Sequence, residues 1–188
     1  MNCIQNNYAR KYLCVFFQIL NNMEDKMSYA PITNSVTINF IRAMVLHHQS
    51  AIYMCQNLLR FTDNNELERI ANNIITTQTK GISEMRDVAM TISGYSNNRR
   101  DVNLYETTFI RITRNMICRM RSAPRTNNIN LNFVNEMIPH HEGAIRMGEN
   151  LLKYEIDPRL ADIANVIIEE QSNGIRQLEE IQRRITMD

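Results

Sequence analysis

The chain repeats itself with a period of 93 residues. Residues 1–93 slide onto residues 94–186 without a gap, and between Tyr8 and Arg86 about 30 of the 79 aligned positions are identical. MVLHHQSAIYMCQNLL, Met44 to Leu59, lies over MIPHHEGAIRMGENLL, Met137 to Leu152, and LERIANNIITTQTKGI, Leu67 to Ile82, lies over LADIANVIIEEQSNGI, Leu160 to Ile175. The first thirds match more weakly: Tyr12, Phe16, Ile19, Met23, Met27 and Pro31 recur as Tyr105, Phe109, Ile112, Met116, Met120 and Pro124. A duplicated sequence encodes one local unit twice, so the fold follows from the unit and from how two copies pack.

Each copy reads as three helices. Tyr12, Phe16, Ile19, Met23 and Met27 stand three or four residues apart, which is one face of an α-helix spanning about Tyr8 to Tyr29 and ended by Pro31. The second helix starts after Asn34-Ser35, or Asn127-Asn128, whose short polar side chains can cap it. It runs to about Phe61, or Tyr154. A short loop leads to a third helix, Glu66 to Ser93 or Arg159 to Thr186, and Gly94 suits a helix C-terminus. Each copy thus ends in a helical hairpin, and two hairpins related by duplication make a four-helix bundle with the first helix of each copy alongside. The expected fold is all-α, with repeats 1–93 and 94–188 packed as one globular unit and Gly94 to Asn103 as a polar linker. Composition agrees: 44% hydrophobic residues are too many for disorder, and five Gly and four Pro among 188 residues are too few for a many-stranded β fold.

Several function classes lose support here. Twenty-one basic and 20 acidic side chains give a net charge of +1, so no nucleic-acid partner is expected from global charge. The longest apolar stretch, Leu13 to Leu20, falls far short of the roughly 20 residues that cross a bilayer, so no membrane partner is expected either. Arg10 and Lys11 before that stretch and Ser28-Tyr29-Ala30 after it imitate a secretory signal. However, Glu24, Asp25 and Lys26 intervene, and the matching segment Tyr105 to Met120 is internal, so a folded helix is the better reading. Cys3, Cys14, Cys55 and Cys118 show no metal-finger spacing and fit reduced thiols in a cytoplasmic setting. Arginines at 99, 100, 111, 114, 119, 121 and 125 read as a solvated face neutralised by the Glu-rich last two helices, and the abundant asparagine is assigned no chemistry.

The chemistry-bearing residues lie on the second helix of each copy. At about 100° per residue, Phe40, Met44, Ala51, Cys55 and Leu58 form one buried stripe, with His47 and His48 on its two edges. Met44 reaches both histidines at i,i+3 and i,i+4, and Met54 lies two turns beyond His47. The second copy repeats the set as Met137, His140, His141 and Met147, with Ala144 matching Ala51. Met23 and Met27, or Met116 and Met120, form a thioether pair on the first helix that could face the stripe. Thioether and imidazole together suit Cu(I) and Ag(I), and the imidazoles must be neutral to bind. Cys55 could join such a site in the first copy only. Pro139, where the first copy has Leu46, should kink its helix or begin it afresh. Gln78 and Gln171 are read as structural hydrogen-bonders that could alternatively face the site, as could Met85.

Phe-x-x-x-Met-hydrophobic-Pro-His-His-x-Gly-Ala-Ile-x-Met, Phe133 to Met147, resembles the bacterial family catalogued as domain of unknown function 305, here in two tandem copies. The resemblance implies a ferritin-like bundle and, from some relatives, copper or silver binding in metal resistance. It implies as ligands Met44, His47, His48, Met54, Met137, His140, His141 and Met147, with Met23, Met27, Met116 and Met120 as candidates. The first copy departs from the family pattern at Leu46 and Ser50, and relatives are commonly exported, which makes export the alternative location.

The leading expectation is therefore a non-enzymatic Cu(I) or Ag(I) binder, with a metal ion as partner and a homo-oligomer as an open state. The alternative is a metal-free scaffold in which the His and Met side chains form core or interface. A ferritin-like redox enzyme is disfavoured, because no Glu stands three residues before any histidine, and Glu136, four before His140, is matched by Ala43.

Overall fold

The computed structural model describes residues 4, 6–92 and 94–187. Cys3, and Ser93 as the expected end of the third helix, lie outside the described residues. Six helices follow in order: α1 (Asn7–Ser28), α2 (Val36–Leu58), α3 (Asn65–Thr91), α4 (Arg99–Arg121), α5 (Ile129–Leu151) and α6 (Pro158–Met187). The described residues include no strand, so the chain is all-α as expected. α2 packs on α3, α5 on α6, α2 on α5 and α3 on α6, which closes a four-helix bundle; α1 lies on α2, and α4 on α5.

The asparagines have more to do than their reading as mere composition allowed. Asn6, Asn64, Asn98 and Asn128 each cap a helix N-terminus, and Ser35 caps α2. These side-chain oxygens accept amide hydrogens that the first turn cannot bond internally. Asn39 clasps the turn before α2 by accepting from the Thr33 amide at 2.9 Å and donating to the Thr33 carbonyl at 3.0 Å. Asn132 and Thr126 repeat the clasp at 2.7 and 2.8 Å. Buried Asn57 donates to the Tyr12 carbonyl at 3.0 Å and Asn150 to that of Tyr105 at 3.2 Å, tying α1 to α2 and α4 to α5.

The linker is shorter than expected, because Asn98 caps α4 and residues 99–103 are already helical. Gly94 carries the one positive φ among the described residues, 81°, just beyond the C-cap of α3. Asn97 anchors the linker: its side chain accepts from the Val36 amide at 2.9 Å and donates to the Glu155 carbonyl at 2.7 Å. The basic face of α4 is neutralised partly from α5, where Glu142 pairs with Arg119, and partly from α1, where Glu24 pairs with Arg121. α5 runs unbroken through Pro139, so the helix does not begin there.

Candidate metal centre

The bundle brings its four histidines together. His47 and His140, 93 residues apart, stack across the α2–α5 contact with ring centroids 3.7 Å apart and planes 33° off parallel. His48 lies 6.2 Å from His47, and His141 lies 6.1 Å from His140. All four are at most 2% exposed. Burial is the first cause that lowers each pKa, to about 4 for His47 and about 3 for His141, with the neighbouring imidazoles adding to it for His48, His140 and His141. The cluster is therefore neutral at pH 7, the state in which stacked imidazoles do not repel and in which nitrogen can ligate a metal.

Hydrogen bonding settles two tautomers. His47 Nε2 lies 3.1 Å from the His140 carbonyl, which can only accept, so Nε2 carries the proton. Ser50 Oγ lies 2.6 Å from the His47 carbonyl and 2.8 Å from His140 Nε2. Met23 Sδ also lies 2.8 Å away, and of the two acceptors the carbonyl is both nearer and stronger than a thioether, so it takes the single hydrogen. Ser50 then accepts from His140 Nε2–H. Both rings are left with a bare lone pair on Nδ1, and that atom is buried without a partner in all four histidines. Buried polar atoms are almost always satisfied, so four orphan nitrogens in one cluster call for an explanation.

Glycine shapes the outer two rings. A Cβ at Gly81 on α3 would come 3.2 Å from His48, and one at Gly174 on α6 would come 2.9 Å from His141. Glycine costs about 1 kcal/mol in a helix interior, yet it recurs at both matched positions, where any side chain would crowd an imidazole. These two residues were missed in the sequence reading, although a mid-helix glycine repeated at the 93-residue period was a usable signal. Gln78 and Gln171, expected to be satisfied hydrogen-bonders, are buried with their Oε1 atoms unpartnered. Together with His141 and Gly174 they line a cavity of about 230 Å³ between α3 and α6.

The methionines divide. Met23 Sδ lies 2.8 Å from Ser50 Oγ, whose hydrogen goes to the His47 carbonyl, so the thioether is a close neighbour of the hydroxyl that meets His140 without being bonded through it. At the matching place in the second copy Gly143 replaces Ser50, and the Met116 sulfur occupies the space a Cβ would take. Met44, Met54, Met137 and Met147 are at most 1% exposed and belong to the same core on α2 and α5. Met120 is buried on α4 and Met85 on α3. Met27 lines a separate cavity, between the end of α1 and α4. Cys55 is fully buried, and burial pushes its thiol pKa up, which holds it protonated and sets it against ligation. Among the described residues no three His, Cys, Asp or Glu side chains converge as a metal cage. The further donors that the surrounding core offers beside the imidazoles are thioether sulfurs.

One carboxyl lies a turn before His140. Glu136 is 2% exposed and accepts from the Tyr12 hydroxyl at 2.6 Å. Burial raises its pKa to about 8, against the opposing effects of that hydrogen bond and of Arg125.

The family model described as Domain of unknown function (DUF305) matches residues 21–89 and, overlapping them, 37–182. No curated protein matches the chain. Among solved structures it is similar to one described as CopM in the Ag-bound form (by soaking), with 25% identity, a TM-score of 0.58, and coverage of 81% of this chain and 98% of that one. It is also similar in fold to a DUF305 fragment from Deinococcus radiodurans, with 19% identity, a TM-score of 0.58, and coverage of 82% and 99%. A ferritin-like bundle is consistent with both.

Proposed function

The chain belongs to the DUF305 family, and from that premise we propose that it is a non-enzymatic binder of a soft univalent cation, Cu(I) or Ag(I), that buffers or sequesters the ion. The observation that carries the reading is the cluster of four neutral, buried imidazoles with four unpartnered Nδ1 atoms. Nδ1 of His47 and His140 are the leading nitrogen donors, each ring oriented by the hydrogen bond at its other nitrogen, as in many metal-ligating histidines. Met23 and Met116 are the leading thioether donors, with Met44, Met137, Met54 and Met147 in the same core and Met27 and Met120 as outer candidates. Soft sulfur with neutral imidazole favours Cu(I) and Ag(I) over oxygen-seeking ions. The silver-bound description of CopM supports the choice of ion. The α3–α6 cavity at His141 is the natural approach.

The test is an anaerobic Cu(I) titration against a chromogenic chelator. It compares wild type with a variant carrying Ala at positions 47, 48, 140 and 141 and with a Met23→Leu/Met116→Leu double variant, whose folds are checked by circular dichroism. Tight binding of one or two ions, weakened in both variants, is expected. A folded wild type that never competes with the chelator refutes the reading. A metal-free bundle is the competing account, and it draws on the lack of a three-residue His, Cys, Asp or Glu cage among the described residues. It predicts a melting temperature unmoved by Cu(I), Ag(I) or Zn(II), because a ligand selective for the native state must raise it.

A further inference from the structure

The two ends of the α3–α6 seam match through the duplication but differ in what covers the histidines. At one end His141 lines the cavity of about 230 Å³ together with Asn73, Asn173 and Gln177, and Gly174 beside it is only half-buried. A Cβ at Gly174 would come 3.0 Å from His141 Nε2, so that edge of the ring is turned to α6 and the cavity, while Nδ1 is buried. At the other end Gly81 is itself buried against His48. There Val166 stands in place of Asn73, Lys80 in place of Asn173 and Glu84 in place of Gln177, and Lys80 and Glu84 are ion-paired at 3.5 Å. One end is open and neutral at its rim, and the other is closed and carries a cation.

We propose that the ion reaches the histidine centre through the His141 end of this seam, with His141 Nε2 as the first nitrogen it meets; this rests on the soft-cation reading above. The cavity has room for an ion still carrying several waters, each of which takes about 30 Å³ in the liquid. A second crevice, over Met23 and Ser50, measures about 20 Å³ and admits no more than one water. Charge favours the same end. Glu170 lines the open cavity and attracts a cation, whereas the exposed Lys80 ammonium repels one at the His48 end. Among the described residues no hydrogen bond fixes the His141 tautomer, so Nε2 is free to offer its lone pair, unlike the same atom of His47 and His140.

The test is stopped-flow uptake of Cu(I) by the full chain, with the ion supplied anaerobically as its acetonitrile complex and followed by ultraviolet charge-transfer absorption, and with equilibrium affinity measured separately against a chelator. Asn173→Trp covers the open end and Lys80→Trp the matching place at the His48 end; both positions are exposed, so the fold tolerates either. Asn173→Trp should slow uptake about tenfold or more at unchanged affinity, and Lys80→Trp should not slow it. Glu170→Gln should slow it about twofold at low ionic strength and less at high. Gly174→Ala, which crowds His141 Nε2, should slow uptake more than Gly81→Ala, which crowds His48. Wild-type rates in Asn173→Trp, equal slowing by the two tryptophans, or an Asn173→Trp affinity that falls along with its rate would each overturn the route while leaving the metal reading intact. A wild type that takes up no Cu(I) at all would overturn the metal reading, and the route with it.

Discussion

Acidification should unfold this bundle early. A histidine in the unfolded chain has a pKa near 6.5, so at pH 5 its protonation favours the unfolded state by about 2 kcal/mol. In the folded protein His47 stays neutral down to about pH 4 and His141 to about pH 3, while His48 and His140 are also held well below the ordinary value. The folded form gains nothing in return, so stability present at pH 7 is lost as pH falls through 6.5 toward these folded-state values. Four such groups amount to about 7 kcal/mol between pH 7 and pH 5. Glu136 works in the opposite sense. Its folded-state pKa of about 8 lies above the unfolded one, so it destabilises the fold at pH 7, and because the folded carboxyl holds its proton while the unfolded one stays largely ionised, acidification to pH 5 returns about 2 kcal/mol of that. The net loss is about 5 kcal/mol, comparable with the whole stability of a typical domain. Urea unfolding of metal-free protein at pH 7, 6 and 5 measures it, and Glu136→Gln, which keeps an acceptor for Tyr12, should steepen the loss to about 7 kcal/mol. A stability that is flat across this range, or the same slope in Glu136→Gln, would refute the picture of four buried neutral imidazoles opposed by a buried acid.

Other expectations follow from single contacts. Gly174→Ala should destabilise by roughly 1 kcal/mol or more, because crowding His141 at 2.9 Å outweighs the helix propensity that alanine gains; Gly81→Ala, at 3.2 Å, should cost less, and denaturant midpoints in the reverse order would contradict this. Ser50→Ala leaves the His140 Nε2–H without its acceptor and should cost roughly 1–3 kcal/mol, with a shift of the His140 ring nitrogens in ¹⁵N spectra; an unchanged spectrum would show that Ser50 does not set that tautomer. Asn64→Ala removes the cap that accepts from Glu66 and Leu67, both at 3.0 Å, and should cost about 1 kcal/mol in thermal unfolding.

Helix count and boundaries were legible because apolar spacing, prolines and capping residues are local signals, and each occurs twice. The four-helix bundle followed from the duplication, but which helices face each other did not: that α2 meets α5 and brings His47 onto His140 is visible only in the packing. What the sequence did not disclose arises from contacts between the copies. Ser50 stands where the second copy has glycine, and only packing reveals that its hydroxyl joins Met23, His140 and the His47 carbonyl. Met23 and Met27 share a helix face in sequence, yet one lies against Ser50 beside the histidines and the other lines the α1–α4 cavity. Glu136 was noticed for its distance from His140, but its bond to Tyr12, 124 residues away, depends on how α1 lies against α5. The glutamines were misjudged because satisfied hydrogen bonding is the usual fate of a buried amide, whereas here both Oε1 atoms are unpaired beside a cavity.

The most direct test of the central claim is the long-range ¹H–¹⁵N spectrum of the four histidine rings as Ag(I), a diamagnetic soft ion, is added to one equivalent. The account predicts that Nδ1 of His47 or His140 moves as the ion binds, while Nε2 of the same ring keeps its proton. It also predicts that a Met23 or Met116 methyl resonance shifts with it. If silver binds and all four imidazoles keep their apo shifts, the buried cluster is not the metal centre, and its unpaired nitrogens belong to packing alone.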